Sequence, residues 1–262
     1  MVNSQYNAHY NMDDLLDIMK TLRAPEGCPW DREQTHQSIR KNMLEEAYEA
    51  ADAIDQEDMD NLKEELGDVL LQVVFHARMA EEEGHFTFDD VVDGVCRKLV
   101  FRHPHVFGTV EAQGAEGALS AWDAQKRKEK GQRTTGDAMD SVARAMPALM
   151  RAEKIQSKAQ KAGFDWPEIG PALDKLSEEV AEFRQAVADS TNVEEELGDV
   201  LFAAVKAGRF AGVDSEEALQ KACEKFIRRF RLVEQFADGP LNEMDLPRLE
   251  ELWQRAKAEE TP

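Results

Sequence analysis

Glu178, Glu179 and Glu182 are followed by Glu196 and Asp199, and the same order of carboxylates occurs earlier as Glu45, Glu46 and Glu49 followed by Glu65 and Asp68. Carboxylate oxygens grouped in this way are hard ligands suited to Mg2+ or Mn2+, and a bound divalent ion lets several anions tolerate one another at close range. At about 100° per residue, Glu46 and Glu49 fall beside an apolar stripe of Met43, Ala47, Ala50 and Ile54, and Glu65 and Asp68 beside one of Leu62, Leu66, Val69 and Val73. In the later copy, Glu179 and Glu182 stand beside Leu176, Val180, Phe183 and Val187, and Glu196 and Asp199 beside Val193, Leu197, Val200 and Ala204. Two helices packed through such stripes bring four carboxylates per copy together at their margins. A single acidic pair at i,i+3 is more simply a solvated helix face; the recurrence of all four positions, with Gly67 and Gly198 at the same offset, favours a metal site. A di-iron bundle site, which carries Glu-x-x-His, does not fit, because the i+3 positions hold Glu49, Asp68, Glu182 and Asp199.

The elements that must position these acids are helices. The strings EELGDVLLQVVFHAR from Glu64 and EELGDVLFAAVKAGR from Glu195 stand about half the chain of 262 residues apart, which predicts two related domains. Apolar periodicity and stop signals predict helices over about 13–23, 38–55, 60–82 and 89–101, then over 171–188, 193–210 and 216–236, with a further helix and loop in MPALMRAEKIQSKAQKAGFDW. Pro25, Gly27 and Pro29 mark a loop, and over 108–117 the chain becomes rich in Gly, Ala and Glu. The expected organisation is all-α: residues 1–125 as one helical domain, 126–141 as a charged linker, and 142–262 as a second domain. Each domain forms a four-helix-bundle-type core, and short helical hairpins of this kind leave apolar surface for a second copy of the chain to cover, so a homodimer is expected.

Composition narrows the partners. A formal charge of −21 opposes nucleic acid and anionic membranes, whose phosphates it repels. No apolar stretch is long enough to span a bilayer, the N-terminus has no signal core, and Cys28, Cys96 and Cys223 lack metal-site or disulfide-framework spacing, so a cytoplasmic protein is expected.

The pattern EExxE, a gap, then ExxD, written twice, resembles the MazG family of nucleoside triphosphate pyrophosphohydrolases. GCPWD at Gly27, VFRHPHVF at Val100, KIQ at Lys154 and GFDW at Gly163 extend the resemblance over nearly the whole chain, with Phe101 standing where the family commonly has Arg. The resemblance implies tandem all-α domains, dimeric assembly, and Mg2+-dependent hydrolysis of nucleoside triphosphates to monophosphate and pyrophosphate, with broad base specificity. It also implies that Glu179, Glu182, Glu196 and Asp199 hold metal, as do Glu46, Glu49, Glu65 and Asp68 in the first copy, and that Glu178 holds a second ion or orients the attacking water. Narrower dCTP, dUTP or phosphoribosyl-ATP hydrolysis is the rival within enzymes, and a non-catalytic acidic helical module that neutralises a basic protein is the rival outside them.

A triphosphate also needs cations. Lys225 and Arg229 are i,i+4 neighbours with Arg228 beside them, and Lys175 stands one turn before Glu178. Lys98 and Arg102 repeat that spacing in the first copy, where Asn42 replaces Lys175, so the second copy is the expected catalytic one. Trp253 and Trp122, at matching positions before Lys257 and Lys126, are candidate stacking platforms for a base; packing within a bundle is the competing reading. Trp30 and Trp166 read as core or loop anchors, and His103 and His105, flanking Pro104, read as a structural turn.

Overall fold

The computed structural model describes residues 9–108 and 114–259. Among them every regular element is a helix, and the chain divides into two compact units, Met1–Lys126 and Arg127–Pro262. The first carries α1 (Met12–Leu22), α2 (Pro29–Glu33), α3 (Arg40–Asp55), α4 (Met59–Glu82), α5 (Phe88–Arg102), α6 (Pro104–Phe107) and most of α7 (Gly114–Glu129). The second carries α8 (Thr135–Asp140), α9 (Ala148–Lys161), α10 (Ile169–Asp189), α11 (Val193–Phe210), α12 (Ser215–Phe236), a 3-10 turn at Leu241–Glu243, and α13 (Leu246–Glu259).

The pairs α3 with α4 and α10 with α11 are the most extensive helix contacts in their units, and tight turns set both. Glu57 takes a left-handed φ of 56°, the Asp58 N–H returns to the Ala53 carbonyl, and the Asp58 side chain accepts from the Asn61 N–H to cap α4. In the second unit Ser190 and Asn192 take φ values of 55° and 51°, and the Thr191 N–H returns to the Ala186 carbonyl. Turns this short oblige the two helices to run antiparallel as neighbours, which sets the acids of one beside those of the other.

The apolar stripes are buried less than their periodicity suggests. On α3 only Ala50 and Ala53 are buried, while Met43 and Ile54 are exposed; on α4 the buried face is Val74, Phe75, Ala77, Met79 and Ala80, and Leu66 is exposed. On α10 and α11, Val187 and Leu197 are likewise exposed, whereas Glu179 is itself buried. Each helix pair meets through part of its apolar surface and leaves the rest outward.

The expected linker is also mostly helical. α7 reaches into it, and α8 is set by a capping box in which Thr134 and Asp137 bond each other's backbone, with Ala138 and Val142 buried. A helix of this length shows no apolar periodicity, which hid it in the sequence. The Gly-, Ala- and Glu-rich stretch over 108–117 lies partly on 109–113, outside the described residues, and from Gly114 the chain is helical.

One clamp holds the start of the first unit. Gly27 lies where a Cβ would meet the Leu22 and Thr21 carbonyl oxygens at 2.2 and 2.3 Å, so only glycine lets the chain fold back under the end of α1. Arg23, just beyond α1, then pairs with Glu82 at 2.7 Å, donates to the carbonyls of Asp31 and Gln34, and lies over the Phe75 ring. Its side chain is only 8% exposed. Removing it leaves Glu82 with Arg78 alone and two carbonyls without their donor. Arg23→Ala is therefore expected to lower the unfolding free energy of the first unit by about 3 kcal/mol in urea titration; a loss within ~0.5 kcal/mol, the range of an ordinary surface substitution, would show that the clamp contributes little.

Candidate functional site

The second unit gathers Glu179 of α10 with Glu196 and Asp199 of α11, one carboxylate oxygen from each lying within 4.8 Å of the others. The first unit gathers Glu46, Glu49 and Glu65 within the same limit. Glu182 and Asp68 fall outside these triads but act on them electrically. Burial first, then a hydrogen bond with Glu179, raises the carboxyl of Glu182 above its ordinary range, with Lys175 opposing; burial, Asp68 and Glu49 raise that of Glu46; and burial, Glu49 and Asp68 raise that of Glu65.

The donor set fits a hard divalent cation. In an octahedron of oxygens at about 2.1 Å from Mg2+, neighbouring ligands stand about 3.0 Å apart and opposite ones about 4.2 Å, so three oxygens already mutually within 4.8 Å need little movement. Glu179 is only 7% exposed, and its counter-charge in the chain is Lys175, whose Nζ lies 2.8 Å from it and 2.7 Å from Glu178. Hydrogen bonds to Glu178 and Glu179 push that ammonium well above the ordinary lysine range. One cation against so many carboxylates leaves the site strongly negative.

Beside the second triad lies a cavity of about 550 Å3. Glu179, Asp199 and Lys175 form its polar end, and Ile155, Phe164, Trp166, Phe202, Ala172 and Ala203 its apolar walls. Its rim is shaped by the end of α9: Gly163, at φ +84°, bonds back to the Gln160 carbonyl, and the Phe164 N–H reaches the Ala159 carbonyl. Asp165 is then tied to α11 by Lys206 at 2.6 Å and by Arg209. Burial pushes its carboxyl up, but hydrogen bonds from Lys206, Arg209 and the Trp166 N–H outweigh this and hold it below the ordinary range. Gln156, on α9, also lines the cavity and is 3% exposed. The cavity described in the first unit, about 260 Å3 around Leu16, Val74 and Phe88, includes none of that unit's triad.

The other expected residues are placed less centrally. Glu45 and Glu178 are exposed beside their triads. Lys225, Arg228 and Arg229 lie on α12, which packs against α9, α11 and α13, and none of them lines the cavity. Trp253 packs on Phe226 at 5.1 Å beside the α12–α13 core. Trp122 is met by Arg102 at 5.0 Å and Lys126 at 4.7 Å, and Arg102 is buried while Lys98 is exposed. Of the two histidines read as a turn, His103 joins α5 to α6, its Nδ1 against the Leu99 carbonyl, whereas His105 lies within the short helix α6.

Sequence reasoning missed Gln156, Asp165, Lys206 and Arg209 as a group. A signal for the first was present: Leu149, Ala152, Gln156 and Ala159 recur at helical spacing, so the amide interrupts an otherwise apolar face. The ion triplet could not be read, because Asp165 and its partners are far apart in the chain.

Comparison with known proteins adds a name to this geometry. Residues 34–107 and 171–233 match the model of the MazG nucleotide pyrophosphohydrolase domain. The chain is 49% identical over 257 residues to the nucleoside triphosphate pyrophosphohydrolase of Escherichia coli (strain K12), covering 95% of this chain and 98% of that one. It is 43% identical over 248 residues to a Thermotoga maritima protein named nucleoside triphosphate pyrophosphohydrolase/pyrophosphatase MazG, covering 94% and 95% of the two chains. A Mycolicibacterium smegmatis nucleoside triphosphate pyrophosphohydrolase is 39% identical over 216 residues, covering 80% and 64%.

The raised carboxyls make a stability prediction. Glu46, Glu65 and Glu182 keep their protons to higher pH in the folded chain than in the unfolded one, where 4.5 is ordinary. Across that window the folded state binds more protons, so metal-free stability falls as pH rises through it. The lowered acids Glu82, Asp90, Asp137 and Asp165 act in the opposite sense, losing their contribution only as pH falls. Melting scans are expected to show that Mg2+ raises Tm more at pH 7 than at pH 4.5; an equal or absent shift at pH 7 would argue against cation binding by the triads.

Proposed function

Because the chain belongs to the MazG family of nucleotide pyrophosphohydrolases, we propose that it hydrolyses a nucleoside triphosphate and water to the monophosphate and pyrophosphate at the acid triad of the second unit. The observation that carries the choice of site is the cavity of about 550 Å3 that opens onto Glu179 and Asp199. Its apolar walls enclose a base and its acidic end faces the triphosphate. The repeat explains why the first unit differs. Aligned on EELGD, Ala203 and Lys206 of the cavity correspond to Gln72 and Phe75, and Phe75 is packed with Met19, Ile39, Val74 and Met79 in that unit's core. Bulkier side chains stand where the second unit is hollow.

In this reading Glu179, Glu196 and Asp199 hold Mg2+, with Mn2+ as a substitute, and Glu182 completes the set. When bound, the ion would supply charge neutralisation to the triphosphate and to the leaving pyrophosphate. Glu178, exposed and within reach of Lys175, would orient the water that attacks the α-phosphorus, and Lys175 would offer a phosphate contact. Lys225 and Arg229, one turn apart on α12, are the candidate contacts for the outer phosphates. The walls of Ile155, Phe164, Trp166 and Phe202 hold a base by its faces, which suits broad specificity and a role in clearing nucleotide pools. Cys96 and Cys223 are exposed free thiols, in keeping with a cytoplasmic setting. Among the described residues no helix is long and apolar enough to cross a membrane.

The active form is a homodimer. Apolar side chains stand exposed on the helices that carry the triads, among them Leu44 and Leu66 in the first unit and Leu197 and Leu201 in the second. Gly67 and Gly198 sit inside helices, where glycine costs about 1 kcal/mol against alanine, yet a Cβ at either would meet nothing within 4 Å. A close approach from a second copy accounts for both features.

Ion-exchange analysis of reactions with Mg2+ is expected to yield monophosphate and pyrophosphate, and chelator to abolish them; diphosphate and orthophosphate would place the cleaved bond elsewhere. Glu179→Gln is expected to lower kcat/KM by about a hundredfold or more with the fold intact by circular dichroism, and Glu46→Gln to cost less; equal losses would remove the distinction between the units. Sedimentation at micromolar concentration tests assembly, and a lone 29.6 kDa species would rule the dimer out.

A further inference from the structure

Gln156 is a buried side chain with one end unaccounted for. Its Nε2 donates to the Phe202 carbonyl at 2.7 Å, and its Oε1 has no hydrogen-bond partner although the residue is 97% shielded. A carbonyl only accepts, so the nitrogen must face Phe202 and the oxygen must face away from it. The orientation of the amide is therefore set by the fold, and the free end is an acceptor. Buried acceptors are ordinarily paired, and Gln156 lines the same cavity as Glu179 and Asp199 of the acid triad.

The surroundings give that acceptor a defined kind of ligand. Ile155 and Ala159 flank Gln156 on α9, Ala172 and Ala203 line the same cavity with short side chains, and Trp166 and Phe202 supply flat apolar surface. The remaining polar side chains of the lining are charged: Lys206 is engaged with Asp165 and Lys175 with Glu178 and Glu179, and Asp199 belongs to the acid triad. A planar heterocycle seated between these walls finds one neutral polar atom with an unmet requirement, and that atom asks for an N–H.

We propose that Gln156 is the base-reading residue of this site, its Oε1 accepting a hydrogen bond from the ring or exocyclic N–H of the nucleobase. The inference rests on the nucleotide occupying the cavity of the second unit. It also explains how one residue serves several substrates. Adenine and cytosine carry an amino group on the pairing edge, guanine an imino and an amino group, and uracil and thymine an imino group, so a lone acceptor is satisfied by each. A base lacking any such N–H leaves the acceptor unpaired and is rejected. The site then reads that a natural base is present without reading which one.

The experiment compares ATP with purine riboside triphosphate, which is the same molecule without the 6-amino group. Two readouts are used: kcat/KM with Mg2+, and Kd by calorimetry with the non-hydrolysable α,β-methylene forms of both. The wild-type protein is expected to prefer the adenine compound by about tenfold or more in both readouts. Gln156→Leu is expected to erase the preference by weakening the adenine compound alone. If that variant does not fold, Gln156→Met, which keeps an unbranched chain, replaces it. Equal use of the two compounds by the wild type, or a parallel loss for both in the variant, would overturn the inference and leave Gln156 as a tie between α9 and α11. If neither compound is hydrolysed, the proposed reaction falls, and the calorimetric preference still decides the role of Gln156.

Discussion

Three carboxylates held within 4.8 Å of one another are the constraint around which the second unit is arranged. Like charges at that range repel, and the repulsion grows as water is excluded, so a fold that imposes the arrangement must gain its stability elsewhere. The α10–α11 pairing supplies the compulsion: a short turn through Ser190 and Asn192 fixes the register, and Ala186 and Ala203 let the helices meet. Glu179 is buried as a consequence of that meeting. Lys175 relieves part of the charge from within the same helix, since i,i+3 and i,i+4 spacing places it over Glu178 and Glu179. What the chain leaves uncompensated is negative charge with a divalent geometry, and that is a binding preference built from strain.

The two units show how one plan serves two ends. Both keep the acid triad and the antiparallel hairpin, so both keep the means to hold a cation. They part at the positions facing α1 and α9. Phe75 in the first unit is enclosed by Met19, Ile39 and Met79, and Arg23 lies over its ring; Lys206 in the second is drawn aside by Asp165 and borders open space. A large apolar side chain exchanged for a cation tethered to a loop turns a core into a cavity. The tether also explains the GFDW stretch: Gly163 turns the chain, Asp165 anchors it, and Phe164 and Trp166 are left at the cavity rim.

Much of this was legible beforehand because it is periodic. The helices from Arg40 to Glu82 and from Ile169 to Phe236 follow their apolar repeats closely, and the acids were found because they recur at fixed offsets in both halves. Periodicity says which residues share a face but not what that face meets, which is why Met43, Leu66 and Leu197, read as buried, stand outward in the chain. α8 escaped because its signal is a Thr134–Asp137 capping box in a stretch without apolar repeat. The matching of Trp122 with Trp253 was visible, but the environments that separate them were not: one is flanked by Arg102 and Lys126, the other rests on Phe226. The cavity is a property of several helices at once and has no linear signature.

A chain with a net charge of −21 that takes an anionic substrate presents an apparent conflict, and the scale of screening resolves it. At physiological salt, charges beyond about 8 Å in solvent are largely hidden, so the exposed acids spread over the surface contribute little at the site. What acts there is local: the triad and any cation it takes up, Lys175, and the buried group of Asp165, Lys206 and Arg209, which carries two positive charges against one negative. That excess lies within the low-dielectric wall of the cavity, where a charge acts over a longer distance than it does in water. The acidic surface then has its own consequence. It disfavours nucleic acid, whose phosphate backbone it repels, without opposing a small nucleotide that meets the local charges of the site.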